Sequence, residues 1–238
     1  MRISKITVLL GAFVVFGGAL QASTTYTYAF GGLGGDLGSN THTFAPSAAP
    51  NPDVTATGFT LGPKSILSAV DLYSKGSGVF PPPNDESGLG LANDRTGDHE
   101  VTPGSFIMLD LGNLSISTLG IYTESTTNGE EWEIWGSNTA AVAGKAFTIP
   151  TGVTGFTEGD QNMNSLIGDR YIFITALGNR NNNILLGGIT VTASTAAPEP
   201  ASAGLLGLAL LISGLVFRSR FGKKLSSSNI TESVLLPM

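Results

Sequence analysis

The 238-residue chain contains no cysteine, which excludes disulfides and thiolate metal sites. It has only two histidines, His42 and His99, and this excludes a metal site built from several imidazoles. The sequence has no Gly-x-Ser-x-Gly nucleophile motif. Its glycine-rich stretch Gly31–Gly35 lacks the helix and the lysine that follow in a phosphate-binding loop. Because these catalytic signatures are missing, we expect a protein that is not an enzyme and holds no organic cofactor.

Positive charge is scarce in the middle of the chain. Between Ser23 and Pro200 there are 17 acidic and 6 basic residues, a net charge of −11. Binding to phosphate groups depends on clustered Lys and Arg, so we exclude nucleic acid as a partner. Helical periodicity is also missing from this region. At about 170 residues, the region is large enough to bury one hydrophobic core without disulfides.

The N-terminus has the layout of a secretory signal peptide. Arg2 and Lys5 precede an apolar stretch, Ile6–Leu20, and small residues follow at Ala22. This order predicts a signal peptide over residues 1–22 and export through the Sec pathway. An uncleaved N-terminal anchor is the alternative.

The C-terminal part contains an uncharged apolar run, Ala201–Phe217, of 17 residues. As a helix it reaches roughly 25 Å, just short of a typical hydrocarbon core. Four basic residues follow it and are expected on the cytoplasmic side: Arg218, Arg220, Lys223 and Lys224. The sequence therefore predicts a transmembrane helix over residues 201–217 and a cytoplasmic tail over residues 218–238.

A Pro-Glu-Pro triplet directly precedes this run. Pro198 and Pro200 stop a helix from extending backwards and leave Glu199 in an extended segment that a protease can reach. The order of triplet, apolar run and basic cluster resembles the PEP-CTERM sorting signal of Gram-negative bacteria, which the exosortase system recognises. The resemblance implies a sorting motif formed by Pro198, Glu199, Pro200, Arg218 and Arg220, with an exosortase-type protease as partner. The 14-residue tail Leu225–Met238 is longer than is usual in that family. A plain single-pass anchor is the alternative.

The exported body reads as a series of short strands separated by Gly, Asn, Ser and Pro turns. Alternation or β-branched and aromatic enrichment predicts strands around Tyr26–Phe30 and over Val54–Leu61, Ile66–Tyr73, Ser105–Leu111, Ser115–Thr123, Trp132–Ser137, Lys145–Pro150, Arg170–Ala176 and Ile184–Thr192. Gly76–Gly104 is expected to be a long loop. This pattern predicts an all-β, antiparallel sandwich or jelly roll over residues 23–193, followed by a linker over residues 194–200.

Three segments of the body resemble a galactose-binding-like (discoidin-type) β-sandwich. They are Phe106–Gly112, Glu131–Asn138 and Arg170–Ile174, and the resemblance covers roughly Gly88 to Ala193. Members of that superfamily mostly bind sugars or surfaces. Their ligand loops vary too much for specific binding residues to be transferred to this chain.

One acidic loop is a candidate calcium site. Asn93, Asp94, Asp98 and Glu100 supply oxygen ligands of the type that Ca²⁺ prefers, in a glycine-containing loop. Their spacing does not match an EF-hand. A solvated polar loop with Asx turns is the alternative.

Trp132 and Trp135 are candidates for carbohydrate binding. Residues three apart in a strand point to opposite faces, so one indole is expected in the core and the other facing outward, where an exposed ring can stack on a sugar. Packing of both in the core, with a twist or bulge of the strand, is the more common outcome. The nearby carboxylates Glu130, Glu131 and Glu133 are expected to form a solvated edge rather than a glycosidase pair.

These features together predict an exported, membrane-anchored and exosortase-processed protein of the cell envelope or extracellular matrix, associated with exopolysaccharide. It is held in the inner membrane by its C-terminal helix and released to the outer surface by processing. The alternatives are a carbohydrate-binding module protein, with or without calcium, and a plain membrane-anchored surface protein.

Overall fold

The computed structural model of the protein describes residues 22–47, 52–81, 86–94, 96–126, 129–179 and 181–195. The strands lie in one compact unit, Ser23–Thr195, except that the first strand starts one residue earlier, at Ala22. Within the described residues there are fourteen strands, two short 3-10 turns and no α-helix. The strands are β1 (Ala22–Ala29), β2 (Gly35–Asp36), β3 (Thr41–Phe44), β4 (Val54–Leu61), β5 (Leu67–Ala69), β6 (Leu72–Lys75), β7 (Gly88–Leu91), β8 (Ser105–Asp110), β9 (Ile116–Glu124), β10 (Glu131–Ser137), β11 (Val153–Gly155), β12 (Gly159–Asn162), β13 (Tyr171–Leu177) and β14 (Leu185–Thr195).

The strands form two antiparallel sheets. Sheet A has the order β12-β9-β14-β7-β6-β2, with β1 also paired to β14. Sheet B has the order β11-β10-β13-β8-β4-β3, with β5 also paired to β4. The predicted all-β, antiparallel sandwich is confirmed. Each sheet has seven strands, so buried side chains can be supplied from both inner faces.

The inner core lies between the sheets and follows the alternation of the strands. In β4, Val54 and Ala56 are buried while Thr55 and Thr57 point outward. In β14, Ile189 and Val191 are fully buried in the same cluster. Each large apolar side chain buried in this way contributes about 1.5–3 kcal/mol.

A second apolar cluster, the outer core, lies on the other face of sheet B. Its largest members are Phe106, Trp135 and Phe173, which lie on β8, β10 and β13. The segment between β10 and β11, residues 138–152, covers them with Phe147 and Ile149, and we name it the strap. Sheet B is thus covered by apolar groups on both faces.

Backbone hydrogen bonds hold the strap against the start of β5. The amide of Gly144 donates to the carbonyl of Leu67 at 2.8 Å, and the amide of Leu67 donates to that of Lys145 at 3.0 Å. The amide of Phe147 donates to the carbonyl of Ser65 at 2.9 Å. The strand predicted over Lys145–Pro150 is therefore wrong, because this segment makes one isolated bridge, Ile66 to Ala146, instead of a ladder.

Two further strand predictions are corrected. The predicted strand Ile66–Tyr73 is two strands, β5 and β6, which belong to different sheets. The predicted loop Gly76–Gly104 contains β7, a buried strand inside sheet A. Its glycines are needed because neighbouring backbone comes very close: a Cβ atom on Gly90 would lie 1.9 Å from the carbonyl oxygen of His99.

The two ends of the sandwich chain lie side by side. The hydroxyls of Thr25 and Thr192 are 3.0 Å apart, and the amide of Phe30 donates to the carbonyl of Gly187 at 3.2 Å. These contacts show that β1 and β14 run antiparallel. The start of β14 therefore lies at the opposite end of sheet A from the start of β1.

Both predicted terminal helices, in residues 1–22 and 201–217, fall almost entirely outside the described residues. Within those that are described, no helix has the length and apolar character needed to cross a membrane. The β1 strand begins at Ala22, the last residue of the expected signal peptide.

Candidate functional site

The structure places both candidate tryptophans in apolar cores. Trp132 is 3% exposed in the inner core, and Trp135 is 1% exposed in the outer core. They do point to opposite faces of sheet B, but the strap covers the outward one. Packing of both indoles in the core is therefore confirmed, and neither ring is available for stacking on a sugar.

The indole nitrogens of the two residues differ in their contacts. The Nε1 of Trp132 donates to the carbonyl of Thr157 at 3.0 Å. The Nε1 of Trp135 is buried without a hydrogen-bond acceptor among the described residues. Trp135 therefore contributes through packing alone.

The four candidate calcium ligands do not converge. The Asp94 carboxylate closes its own turn, accepting from the Thr96 hydroxyl and from the Gly97 amide at 2.9 Å. Burial opposes its ionisation, but these hydrogen bonds outweigh it and lower the Asp94 pKa. Asp98 accepts from the Asn183 amide at 3.4 Å, while Asn93 is exposed. In the described segments, no three His, Asp or Glu side chains are grouped as metal ligands.

Glu100, the fourth of these residues, belongs instead to a cluster with Lys75, Glu86 and Ser125 that the sequence analysis did not predict. The Nζ of Lys75 lies 2.6 Å from Glu100 Oε1 and 2.6 Å from Glu86 Oε2. The Ser125 hydroxyl lies 3.2 Å from both Glu100 oxygens and 3.3 Å from Glu86 Oε1. A cleft of about 290 Å³ opens beside this group and is lined by Lys75, Glu86, Asp98, Glu100, Ser125, Glu130, Asn181 and Asn183.

Two more carboxylates extend the cluster along the end of β9. Glu124, the last residue of β9, is 9% exposed and faces the charges of Glu158 and Glu86. The backbone amide of Thr126 donates to Glu158 Oε1 at 3.1 Å. We call the group formed by Lys75, Glu86, Glu100, Glu124 and Glu158 the acidic end.

The environment of each carboxylate sets its pKa. Burial, with smaller contributions from Glu158 and Glu86, raises the pKa of Glu124 to about 7. Burial also raises the pKa of Glu100, and Lys75 offsets only part of this effect. The hydrogen bond from Lys75 lowers the pKa of Glu86. The acidic end therefore contains one carboxyl group that changes its charge near neutral pH.

Sequence reasoning missed most of the acidic end because its residues come from distant parts of the chain. Lys75 ends β6, Glu86 precedes β7, Glu124 ends β9 and Glu158 precedes β12. No short spacing joins them. Only the pairing of these strands within sheet A brings them together.

A second cleft, of about 400 Å³, lies at the opposite end of the sandwich, where β8 ends and β13 begins. Here the Arg170 guanidinium makes two 2.9 Å hydrogen bonds to the two Asp110 oxygens. The guanidinium carbon also lies 5.0 Å from the centre of the Tyr171 ring. These bonds hold the pKa of Asp110 below its usual range. The cleft is polar and open, with Asn138 and Asp169 on its rim.

The three glutamates near β10 have separate environments. Glu131 is exposed, while Glu133 is 8% exposed and its Oε1 accepts from the Gly152 amide at 2.8 Å. Glu130 is also buried. The expectation of a solvated edge is therefore wrong for Glu130 and Glu133, and Glu133 helps to hold the strap.

The predicted sorting residues Pro198, Glu199, Pro200, Arg218 and Arg220 lie outside the described residues, so the sorting motif stays a prediction. Comparison with protein-family models, with curated proteins and with solved structures gives no match. The resemblances to the PEP-CTERM signal and to the galactose-binding-like sandwich therefore depend on the sequence motifs alone.

Proposed function

We propose that the protein is an exported, non-catalytic component of the cell envelope or extracellular matrix, associated with exopolysaccharide. Its N-terminal signal directs export, its C-terminal helix holds it in the inner membrane, and an exosortase-type protease processes it at the Pro-Glu-Pro motif. The observation that carries the proposal is the order of Pro198–Pro200, the apolar run Ala201–Phe217 and the basic residues after it.

The extent of the sandwich supports this arrangement. Its first strand begins at Ala22, and its last strand ends at Thr195, so that two residues separate it from Pro198. The folded domain thus occupies the stretch between the two targeting segments. The acidic surface of the body agrees with a role away from nucleic acid and anionic lipid.

We further propose that the sandwich is a galactose-binding-like jelly roll, and that glycan binding is its second candidate function. The observation in favour is the open polar cleft at Arg170, which is lined by its guanidinium and by the side chain of Asn138. Such groups bind hydroxyl-rich ligands through hydrogen bonds. Binding of purified exopolysaccharide that Arg170→Ala abolishes and Glu131→Gln leaves unchanged supports this function. Equal binding by both variants contradicts it.

Intact mass spectrometry of protein from membrane and extracellular fractions tests the sorting. A mature C-terminus between Pro198 and Ala201 supports processing, and Glu199→Ala is expected to abolish it. Glu232→Ala, an acidic residue outside the motif, is the matched control and is expected to be processed normally. An intact Met238 in the membrane fraction of the wild type identifies a plain anchor, and a full-length cytoplasmic product contradicts export.

A further inference from the structure

A row of polar side chains crosses sheet B from strand to strand. Thr43 of β3 lies opposite Thr55 of β4, and Thr55 lies opposite Asp110 of β8. The row continues through Tyr171 of β13 to Ser137 of β10. Residues directly opposite one another in antiparallel strands point to the same face. At about 4.8 Å between strands, these five residues span roughly 19 Å, and we call them the polar row.

The polar row lies on the face of sheet B that points away from the inner core. The neighbours of its members along the strands, Val54, Leu109 and Ile172, are buried in the inner core. Thr43 is exposed and Thr55 is half-buried. The strap packs on the outer core, which lies further along β8, β10 and β13. A ligand can therefore reach the threonine end of the row.

The threonine hydroxyls of this face keep hydrogen-bonding capacity for a ligand. The hydroxyls of Thr43 and Thr55 are 3.2 Å apart, and those of Thr41 and Thr57, on the same two strands, are 3.3 Å apart. A hydroxyl has one hydrogen to donate and two lone pairs that accept. A pair joined by one hydrogen bond thus still offers a donor and several acceptor positions. Sugar hydroxyls, which both donate and accept, match this arrangement.

The polar row is joined to the cleft of about 400 Å³ by Arg170. The guanidinium lines the cleft and makes two 2.9 Å hydrogen bonds to Asp110 of the row. The cleft also has the half-buried apolar residues Leu114 and Ile116 and the Asp169 carboxylate in its wall. Ligand sites are typically concave and combine apolar walls with a few polar groups. A sugar ring, with apolar faces and hydroxyls at its edge, suits such a cleft.

The distribution of charge indicates which kind of chain fits. Asp110 is the one carboxylate of the polar row, and its ion pair with Arg170 leaves the row without net charge. The cleft adds the carboxylate of Asp169, and the region from Ser23 to Pro200 has a net charge of −11. This surface repels an anionic chain, and the row offers no unpaired charge to a cationic one. A neutral chain that carries hydroxyl groups is therefore its complement.

We propose that the polar row and the Arg170 cleft form one extended site for a neutral, unbranched polysaccharide. One sugar unit occupies the cleft, and the following units lie across β13, β8, β4 and β3, where their hydroxyls exchange hydrogen bonds with Thr43 and Thr55. The inference rests on the proposed glycan-binding function. It adds that the ligand is an uncharged chain rather than a single sugar, and it gives the path of that chain over sheet B.

The length of the bound chain is tested on the purified full-length protein, in a detergent without sugar headgroups. Isothermal titration calorimetry measures the binding of two neutral hexasaccharides, cellohexaose and laminarihexaose, and of the disaccharides cellobiose and laminaribiose. We expect at least one hexasaccharide to bind about tenfold more tightly than its disaccharide, because only the longer chain reaches the threonines. The anionic hexamannuronate is expected to bind more weakly than the neutral hexasaccharides.

The path of the chain is tested by removing hydroxyls from the row. The double variant Thr43→Val with Thr55→Val keeps β-branched side chains that favour strands, so it is expected to fold. We expect it to bind the hexasaccharide about tenfold more weakly and the disaccharide unchanged. The matched control, Thr25→Val with Thr192→Val, removes an exposed pair of hydroxyls 3.0 Å apart from sheet A and is expected to bind as the wild type does.

Four results overturn the inference. They are the absence of binding to both neutral hexasaccharides, equal affinity for hexasaccharide and disaccharide, equal affinity in the valine variant and the wild type, and tighter binding of hexamannuronate. The glycan-binding function itself fails only if purified exopolysaccharide does not bind, or binds equally to Arg170→Ala. If the valine variant does not fold, Thr43→Ala with Thr55→Ala gives the same comparison, and the comparison of chain lengths in the wild type remains decisive.

Discussion

Trp135 stacks on Phe173 on the outer face of sheet B, with the ring planes 3° apart and the centroids 5.3 Å apart. Phe106 contacts both rings edge-on, and Phe147 of the strap stacks on Phe106 at 5.3 Å. A loop therefore completes an aromatic cluster that three strands begin. This relationship explains why an outward-facing tryptophan is not exposed.

Removing the aromatic side chain of the strap is expected to destabilise the domain. Phe147→Ala removes a ring that contacts Phe106 and Phe173, and we expect a loss of about 2–3 kcal/mol, since the ring is only partly buried. Urea unfolding followed by tryptophan fluorescence measures the loss. Val142→Ala, at a strap position 52% exposed, is the control and is expected to change stability by less than about 0.5 kcal/mol. Equal losses in the two variants contradict the role of the strap.

Gly90 in β7 is expected to tolerate no side chain. A Cβ atom there would lie 1.9 Å from the carbonyl oxygen of His99, so Gly90→Ala forces backbone to move inside sheet A. We expect a loss of at least about 3 kcal/mol or failure to fold. Gly78→Ala, where the nearest atom is 3.4 Å away, is the control and is expected to fold normally. Thermal unfolding monitored by circular dichroism distinguishes the two outcomes.

Glu124 is expected to make stability fall as the pH rises. Burial raises its folded-state pKa from 4.5 to about 7, so the folded state binds more protons than the unfolded state between these values. The contribution of Glu124 to the free energy of unfolding is then fully present below about pH 4.5. It is lost progressively as the pH rises towards 7, by on the order of 2 kcal/mol. Glu124→Gln cannot ionise and is expected to be more stable than the wild type at pH 8.

The pH dependence is measured by urea unfolding at several pH values between 4 and 8. Glu100 has a raised pKa too and contributes a fall of the same sign in both proteins. The difference between wild type and Glu124→Gln isolates Glu124. A constant difference across this pH range contradicts the assignment.

The Asp94 turn is expected to hold its conformation without calcium. Its carboxylate already accepts from the Thr96 hydroxyl and the Gly97 amide, and Glu100 is paired with Lys75. We expect the Tm to be the same with calcium and with chelator. Asp94→Ala removes the hydrogen bonds of the turn and is expected to lower the free energy of unfolding by about 1 kcal/mol. A chelator-induced fall in Tm that Asp94→Ala abolishes supports the calcium site instead.

The sequence predicted the strands in which alternation is regular and turns are well defined. Val54–Leu61 was predicted with the bounds it has in the structure. Apolar and polar residues alternate along its first half, and the structure buries the apolar ones. The strand β7 was missed, because Gly88 and Gly90 normally indicate a loop. Their place in a strand depends on the approach of Leu186 and His99, which local sequence does not contain.

The candidate sites show the same limit. Residues near one another in sequence, such as Asp94 and Glu100, were expected to act together, yet their side chains make separate contacts. Residues far apart, such as Lys75 and Glu124, lie at one end of sheet A. Local spacing predicts which side chains share a strand face. It does not predict which strand ends meet across a sheet.

The sequence by itself determined the all-β class of the domain, because turn residues and alternating apolar residues act locally along the chain. It excluded disulfides and predicted short antiparallel strands. Only the tertiary structure decided that the strap buries Trp135 and that the carboxylates of Glu86 and Glu100 share the ammonium group of Lys75. These features depend on long-range strand pairing, which places groups together regardless of their distance in the sequence.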